Sequence, residues 1–221
     1  MRAVRWGVAG VALAGVCGSA GAAIVTASNT VQVITAPALA DQNLAGVGFR
    51  AVAWNEKTNV VVNNLAVDML PPGHSATALG GFYSGVVNSH ILHYSTLPQG
   101  TGPGHVGTVK FDAPIVALIY TQARLAGTDG LLGAAGTTYG ANNWNRGLNV
   151  SLPVFSYAQV LGVLPDTLFF QLLPGGWSVG GAGGNFLFGV DQIRVLTRPV
   201  PSAGGLACFG VAGVWGARRR R

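Results

Sequence analysis

Short apolar runs rich in valine, isoleucine and aromatic residues recur through the middle of this chain. Glycine, proline and asparagine clusters separate them, and no long amphipathic helical pattern intervenes. Val31 to Thr35 and Phe49 to Trp54 alternate as half-buried strands do. Asn55-Glu56-Lys57-Thr58-Asn59 reads as a turn into Val60 to Val62, which predicts a hairpin. Gly85 to Tyr94 and His105 to Phe111 predict two strands joined by the proline- and glycine-rich stretch Leu97 to Gly104. Ile115 to Tyr120 is continuously apolar and predicts a central strand buried on both faces. One or two helical turns are expected over Arg124 to Leu132, and further strands over Leu148 to Leu152, Leu168 to Leu173 and Gln192 to Thr197. Many short strands without strand–helix alternation predict an all-β fold, an antiparallel β-sandwich of jelly-roll or lectin-like type. No repeat period or internal linker divides this body, so one domain is expected over residues 24–198.

The two ends break the pattern. Arg2 and Arg5 precede an uncharged stretch from Trp6 to Cys17, and small residues follow, with Ala20-Gly21-Ala22 fitting the A-x-A rule. Residues 1–23 therefore read as a signal peptide, cleaved after Ala22 or Ala23. Five glycines between Gly7 and Gly21 make this stretch a poor membrane-anchoring helix. At the other end, Ser202 to Ala217 is free of charge and Arg218, Arg219, Arg220 and Arg221 close the chain. Under the positive-inside rule the arginines stay cytoplasmic while the apolar segment enters the bilayer. A sixteen-residue helix reaches about 24 Å, against a hydrocarbon core of about 30 Å. Residues 199–221 thus read as a transient, removable hydrophobic sorting helix, although a permanent anchor stays open.

The layout Val200-Pro201-Ser202-Ala203, small-residue apolar run, terminal arginines resembles the PEP-CTERM sorting signal of exported bacterial proteins. Ser202 and Ala203 stand where that family carries Glu and Pro. The resemblance implies an exosortase-type membrane enzyme as processing partner, delivery to the cell surface or the extracellular space, and an association with exopolysaccharide. The body is also similar to exported domains that precede such tails. That likeness rests on Trp54-Asn55-Glu56-Lys57, Val87-Asn88-Ser89-His90 with His93, Val109 to Ile115, Leu125 to Leu132 and Asp191-Gln192-Ile193-Arg194-Val195. It implies no catalytic residues.

The formal charge of +6 belongs to the ends. Of thirteen basic residues, two lie in the leader and four in the tail; the remaining seven match seven acidic residues in the body. A neutral body offers no basic cluster for phosphates, which excludes a nucleic-acid reading. Cys17 and Cys208 lie in the targeting segments, so the body has no disulfide, thiolate metal site or cysteine nucleophile.

Candidate chemistry in the body is thin. His90 and His93 stand three apart in an expected strand, so they face opposite sides and cannot share a metal without a bulge; His74 and His105 stand elsewhere. Glu56 is the sole glutamate and falls in the expected turn. Asp68, Asp112, Asp129, Asp166 and Asp191 sit beside turn-forming residues or strand starts. Neither two carboxylates across a glycosidic bond nor a nucleophile elbow is legible. Asp129 in Gly127-Thr128-Asp129-Gly130 is isolated and no Asp-x-Asp-x-Asp loop exists, so no cofactor is expected, although one structural calcium assembled from distant loops stays open. Trp144 beside Asn142 and Asn143, and Trp177 after Pro174-Gly175-Gly176, combine an apolar face with amides as a sugar ring requires; each could equally plug the end of the core. The expectation is an exported, non-enzymatic structural or adhesive protein, with a carbohydrate-binding module as the alternative and a secreted hydrolase third.

Overall fold

The computed structural model describes residues 22–40, 44, 51–70, 80–95, 105–140, 146–148, 158–172 and 190–200. All of them belong to one compact unit, Gly21–Val200. Its strands are β1 (Ile24–Ala27), β2 (Val31–Val33), β3 (Leu39–Ala40), β4 (Ala51–Val67), β5 (Gly81–Ser95), β6 (His105–Phe111) and β7 (Ile115–Ile119). After a helix, α1 (Gln122–Leu132), come β8 (Thr138–Tyr139), β9 (Ala158–Val163), β10 (Thr167–Leu172) and β11 (Val190–Thr197). The fold is mostly β, as expected.

Three sheets organise these strands. A four-stranded antiparallel sheet runs β1-β6-β10-β9, a five-stranded sheet runs β2-β4-β5-β11-β7, and β3 pairs with β8. The five-stranded sheet is mixed: β2 lies parallel to β4, and the β3–β8 pair is parallel too. The expected purely antiparallel arrangement is corrected on this point. Only three residues separate β1 from β2, so the chain leaves one sheet and enters the next without reversing as a hairpin would.

The two larger sheets share an apolar core. Val109, Phe111, Leu168 and Phe170 of the four-stranded sheet cluster with Ala53, Leu92, Leu118, Ile193 and Val195 of the five-stranded one. The opposite face of the five-stranded sheet buries Val87, Ile119 and Leu196 together with Leu125 and Leu132 of α1. Being covered on both faces explains why β11 is buried at all eight positions.

The expected hairpin at Asn55 to Asn59 does not form. β4 runs unbroken for 17 residues and pairs with β5 along most of its length. Polar residues there mark register shifts, between Asn55 and Lys57 and between Lys57 and Val60, with Asn59 in the left-handed region at φ 56°. Bulges bend a long strand without ending it, and Asn tolerates that conformation better than most residues. At its far end Met69 forms an antiparallel bridge to Leu118. The end of β4 thereby returns to the free side of β7, and the sheet curls back on itself. β7 is accordingly an edge strand in the sheet order, not the central strand its apolar run suggested; curling and α1 supply its burial.

Helix α1 spans 11 residues, longer than the one or two turns expected, despite Gly127 and Gly130 in its interior. Tertiary contacts hold it. Asp68, at the end of β4, accepts the backbone N–H groups of Tyr120 and Thr121 at 2.7 and 2.8 Å, and Arg124 pairs with it. An anion just ahead of the first turn complements the helix dipole. At the other end Lys57 Nζ donates to the carbonyls of Gly130 and Leu131, both at 3.1 Å, satisfying acceptors the helix cannot use.

Gly107 on β6 lies opposite Phe170 on β10. A Cβ at this position would come within 2.2 Å of Phe170 Cζ, and that ring is fully buried. The glycine is the seat of the ring. Gly107→Ala is expected to cost about 1–3 kcal/mol, as overpacking of a filled core does, read as a lowered thermal midpoint; an unchanged midpoint would show that the ring has room to move.

Candidate functional site

Between the five-stranded sheet and α1 lies a cluster of charged and polar side chains that strand alternation delivers to one face. Glu56 comes from β4, Ser89 and His93 from β5, and Gln192 and Arg194 from β11. Ser89, His93, Gln192 and Arg194 are buried, and the side chains of Arg194 and Glu56 expose no surface at all. Arg194 meets Glu56 in a bidentate pair, Nε to Oε2 at 2.7 Å and Nη2 to Oε1 at 2.8 Å. Ser89 Oγ donates to Glu56 Oε2 at 2.6 Å and the Tyr139 hydroxyl donates to Oε1 at 2.5 Å. Each carboxylate oxygen thus accepts two donors, which exhausts the roughly four lone-pair sites of the group.

Arg194 is equally committed. Its Nη1 donates to Thr128 Oγ1 at 2.6 Å and to the carbonyl of Leu125 at 3.2 Å, tying the sheet to α1. Its Nη2 also reaches Asp129 Oδ1 at 2.9 Å. Burial alone would lower the guanidinium pKa, but hydrogen bonds to Glu56 and that residue's charge, then Asp129, raise it instead. Tyr139 lies beneath both arginines, with guanidinium carbons 5.0 Å (Arg146) and 5.5 Å (Arg194) from its ring centroid. Burial foremost, then the charge of Glu56, pushes the Tyr139 phenol up, so it stays protonated and donates.

Arg146 completes the group. Residues 146–148 are pinned from two sides, Gly147 N–H to the carbonyl of Val190 at 3.0 Å and Leu148 N–H to that of Tyr120 at 2.7 Å. Gly147 adopts φ 98°, and a Cβ there would stand 2.3 Å from the Tyr120 oxygen, so glycine is required for this approach. The segment aims Arg146 at Asp129, with Nη1 to Oδ2 at 2.5 Å and Nη2 to Oδ1 at 2.8 Å, while its Nε donates to Gln192 Oε1. Gln192 Nε2 in turn lies 2.8 Å from His93 Nδ1. Two arginines and two carboxylates therefore balance, and only Asp129, with 24 % of its side chain exposed, opens toward solvent.

The opposite face of the same sheet holds His90, so His90 and His93 do point away from each other as their spacing predicted. Asn55 Oδ1 accepts from the backbone N–H of Ile24 at 3.3 Å and lies 2.7 Å from His90 Nδ1. Nδ1 consequently carries the ring proton and Nε2 accepts from Thr197 Oγ1 at 2.9 Å. The ring packs against Phe111, centroids 4.8 Å apart. Burial lowers the His90 pKa to about 3, so the imidazole is neutral in the folded protein.

Several sequence expectations are corrected by this arrangement. Glu56 sits inside a strand at the centre of the fold, not in an exposed turn, because Arg194 and Ser89 supply the donors that let a charge be buried. Asp68 and Asp129 are bound to arginines beyond any turn role. Asp129, the carboxylate considered for calcium, has both oxygens on guanidinium groups. Asp166 does fit the turn reading, bonded to Thr167 and 3.4 Å from Lys110. Glu56 and Asp129 converge on one nitrogen of Arg194, the carboxylate proximity a hydrolase would use. Yet a guanidinium stands between them, and Glu56 has neither a free lone pair nor surface to meet a substrate. Among the described residues no group of three or more His, Cys, Asp or Glu converges as metal ligands. Trp144, Asn142, Asn143, Trp177, Ala20, Pro201, Ser202 and Arg218 to Arg221 lie outside the described residues; Ala22, Ala23 and Val200 lie within them. No helix of the described residues is long and apolar enough to cross a membrane.

Comparison with family models, curated proteins and solved structures finds no match.

The sign of the pH response follows from His90. Its folded pKa lies below the unfolded value of 6.5, so between the two the unfolded chain binds the extra proton. The stability this neutral ring allows is whole above pH 6.5 and is lost as pH falls toward 3, by up to about 1.4 kcal/mol per unit. Urea unfolding at pH 7, 6 and 5 is expected to show that decline, and His90→Gln is expected to flatten it; an equal slope in both proteins would mean that the ring is charged or open to water.

Proposed function

We propose that this chain is an exported β-sandwich protein with a structural or adhesive role at the cell surface or in the extracellular matrix. In this reading a signal peptide delivers it, the PEP-CTERM-like tail sorts it, and an exosortase-type enzyme removes that tail. The observation that carries the structural role is the saturation of the Glu56–Arg194 pair. Glu56 is buried with its acceptor sites filled, both oxygens of Asp129 are on guanidinium groups, and these bonds join β4, β5, β11, α1 and the Arg146 segment. Side chains used this way make a cysteine-free body rigid outside the cell, where many small domains rely on disulfides instead. Exposed apolar side chains support the adhesive half: Val61 and Val86 face each other across the β4–β5 ladder, with Phe82 further along β5, exposed by 74, 41 and 66 %.

The carbohydrate-binding alternative rests on the composition around Trp144, and one preparation separates the readings. Protein released from the cell surface is expected to end near Pro201 by mass spectrometry and to leave a panel of exopolysaccharides uncleaved. Intact Arg221 in the membrane fraction would replace sorting with permanent anchoring. Glycan retention abolished by Trp144→Ala, with the melting temperature unchanged, would favour the binding module, and cleavage of any glycan would favour the hydrolase.

A further inference from the structure

Resting on the export reading above, we infer that the leader is cut between Ala22 and Ala23 and that Asp112 receives the charged amino terminus so created. The Ala20-Gly21-Ala22 triplet allows this bond, but small residues on either side also allow the next one. The fold distinguishes them. In the uncut chain Ala23 N–H donates to Asp112 Oδ1 at 2.8 Å, and Asp112 N–H returns a bond to the Ala23 carbonyl at 3.2 Å. β1 begins at the next residue and pairs with β6, so a chain starting at Ala23 keeps the whole strand.

Hydrolysis adds water across the Ala22–Ala23 peptide bond. The leader departs with a carboxylate on Ala22, and the body keeps the nitrogen of Ala23, which takes up a proton to become an ammonium. That nitrogen already lies at hydrogen-bond distance from a carboxylate, so a bond with one charged partner becomes an ion pair in which both partners are charged. Cutting one residue later would place the ammonium of Ile24 against Asn55 Oδ1, at 3.3 Å. That is an uncharged amide oxygen, already shared with His90. It would also strip Asp112 of both bonds to Ala23. Ala22 is only 2 % exposed in the folded chain, so the cut precedes folding, and Ala23 meets Asp112 as β1 docks on β6.

N-terminal sequencing of protein collected from the cell surface is expected to begin Ala-Ile-Val-Thr. A start at Ile24 would overturn the assignment while leaving export intact; a start at Met1 would remove the export reading and this inference with it. Asp112→Asn tests the receptor. It is expected to be cut at the same bond, because cutting comes before folding, and to lower the melting temperature of the processed protein by a few degrees, roughly 2–4 °C. In full-length chain translated without membranes, whose amino group lies on Met1, the same substitution removes a bond with only one charged partner and is expected to shift the melting temperature less. Equal shifts in the two forms would overturn Asp112 as the partner of the new terminus.

Discussion

Glu56 and Arg194 are a carboxylate and a guanidinium that touch no water, and a buried charge is tolerable only when every one of its hydrogen-bonding sites is filled. That requirement reaches through the rest of the fold. To fill the sites on Glu56, β5 must present Ser89 in register and the β3–β8 pair must bring Tyr139 within reach. To fill those on Arg194, α1 must offer Thr128, the carbonyl of Leu125 and Asp129. Asp129 then carries more negative charge than one guanidinium needs, and Arg146 answers it from a segment that glycine alone allows to approach. A geometry error in any of these elements would leave a buried charge unpaired, at a cost of several kcal/mol. The cluster thereby ties β4, β5, β11, β8, α1 and the Arg146 segment to one another through bonds that all depend on the same pair.

The two faces of the five-stranded sheet divide the work. Toward the four-stranded sheet the filling is apolar, with His90 held neutral among Asn55, Thr197 and Phe111. Toward α1 it is ionic and balanced. The helix illustrates the dependence most plainly. Two interior glycines and no side-chain cap from Thr121 give it little intrinsic stability. It exists because Asp68 holds its beginning, Lys57 its end and Arg194 its middle.

Strands were legible where periodicity or apolar continuity was strong, as for β6, β10 and β11, and the all-β character followed from them. The missing hairpin has a definite cause: a polar run need not be a surface run. Asn55 to Asn59 carries five polar residues, yet it is mid-strand, because its partners lie 29 to 138 positions away in sequence and no local pattern announces them. One signal was available. The chain has only 9 % charged residues, so a lone glutamate and an arginine flanked by Ile193 and Val195 in an expected strand were unusual enough to be each other's partner. Opposite facing of His90 and His93 was legible from alternation alone. The parallel β2–β4 pairing and the role of Arg146 were not, since both depend on where loops return the chain.

The central claim is that the fold hangs on the Glu56–Arg194 pair, and a double-mutant cycle tests it directly. Glu56→Gln, Arg194→Met and the double variant, each unfolded in urea at pH 7, give the coupling free energy between the two side chains. The account predicts that each single change costs about 3–5 kcal/mol and that the double change costs far less than their sum, since the second removes the charge the first left unpaired. Single changes within about 0.5 kcal/mol of zero, as on an ordinary surface, or costs that simply add, would contradict it.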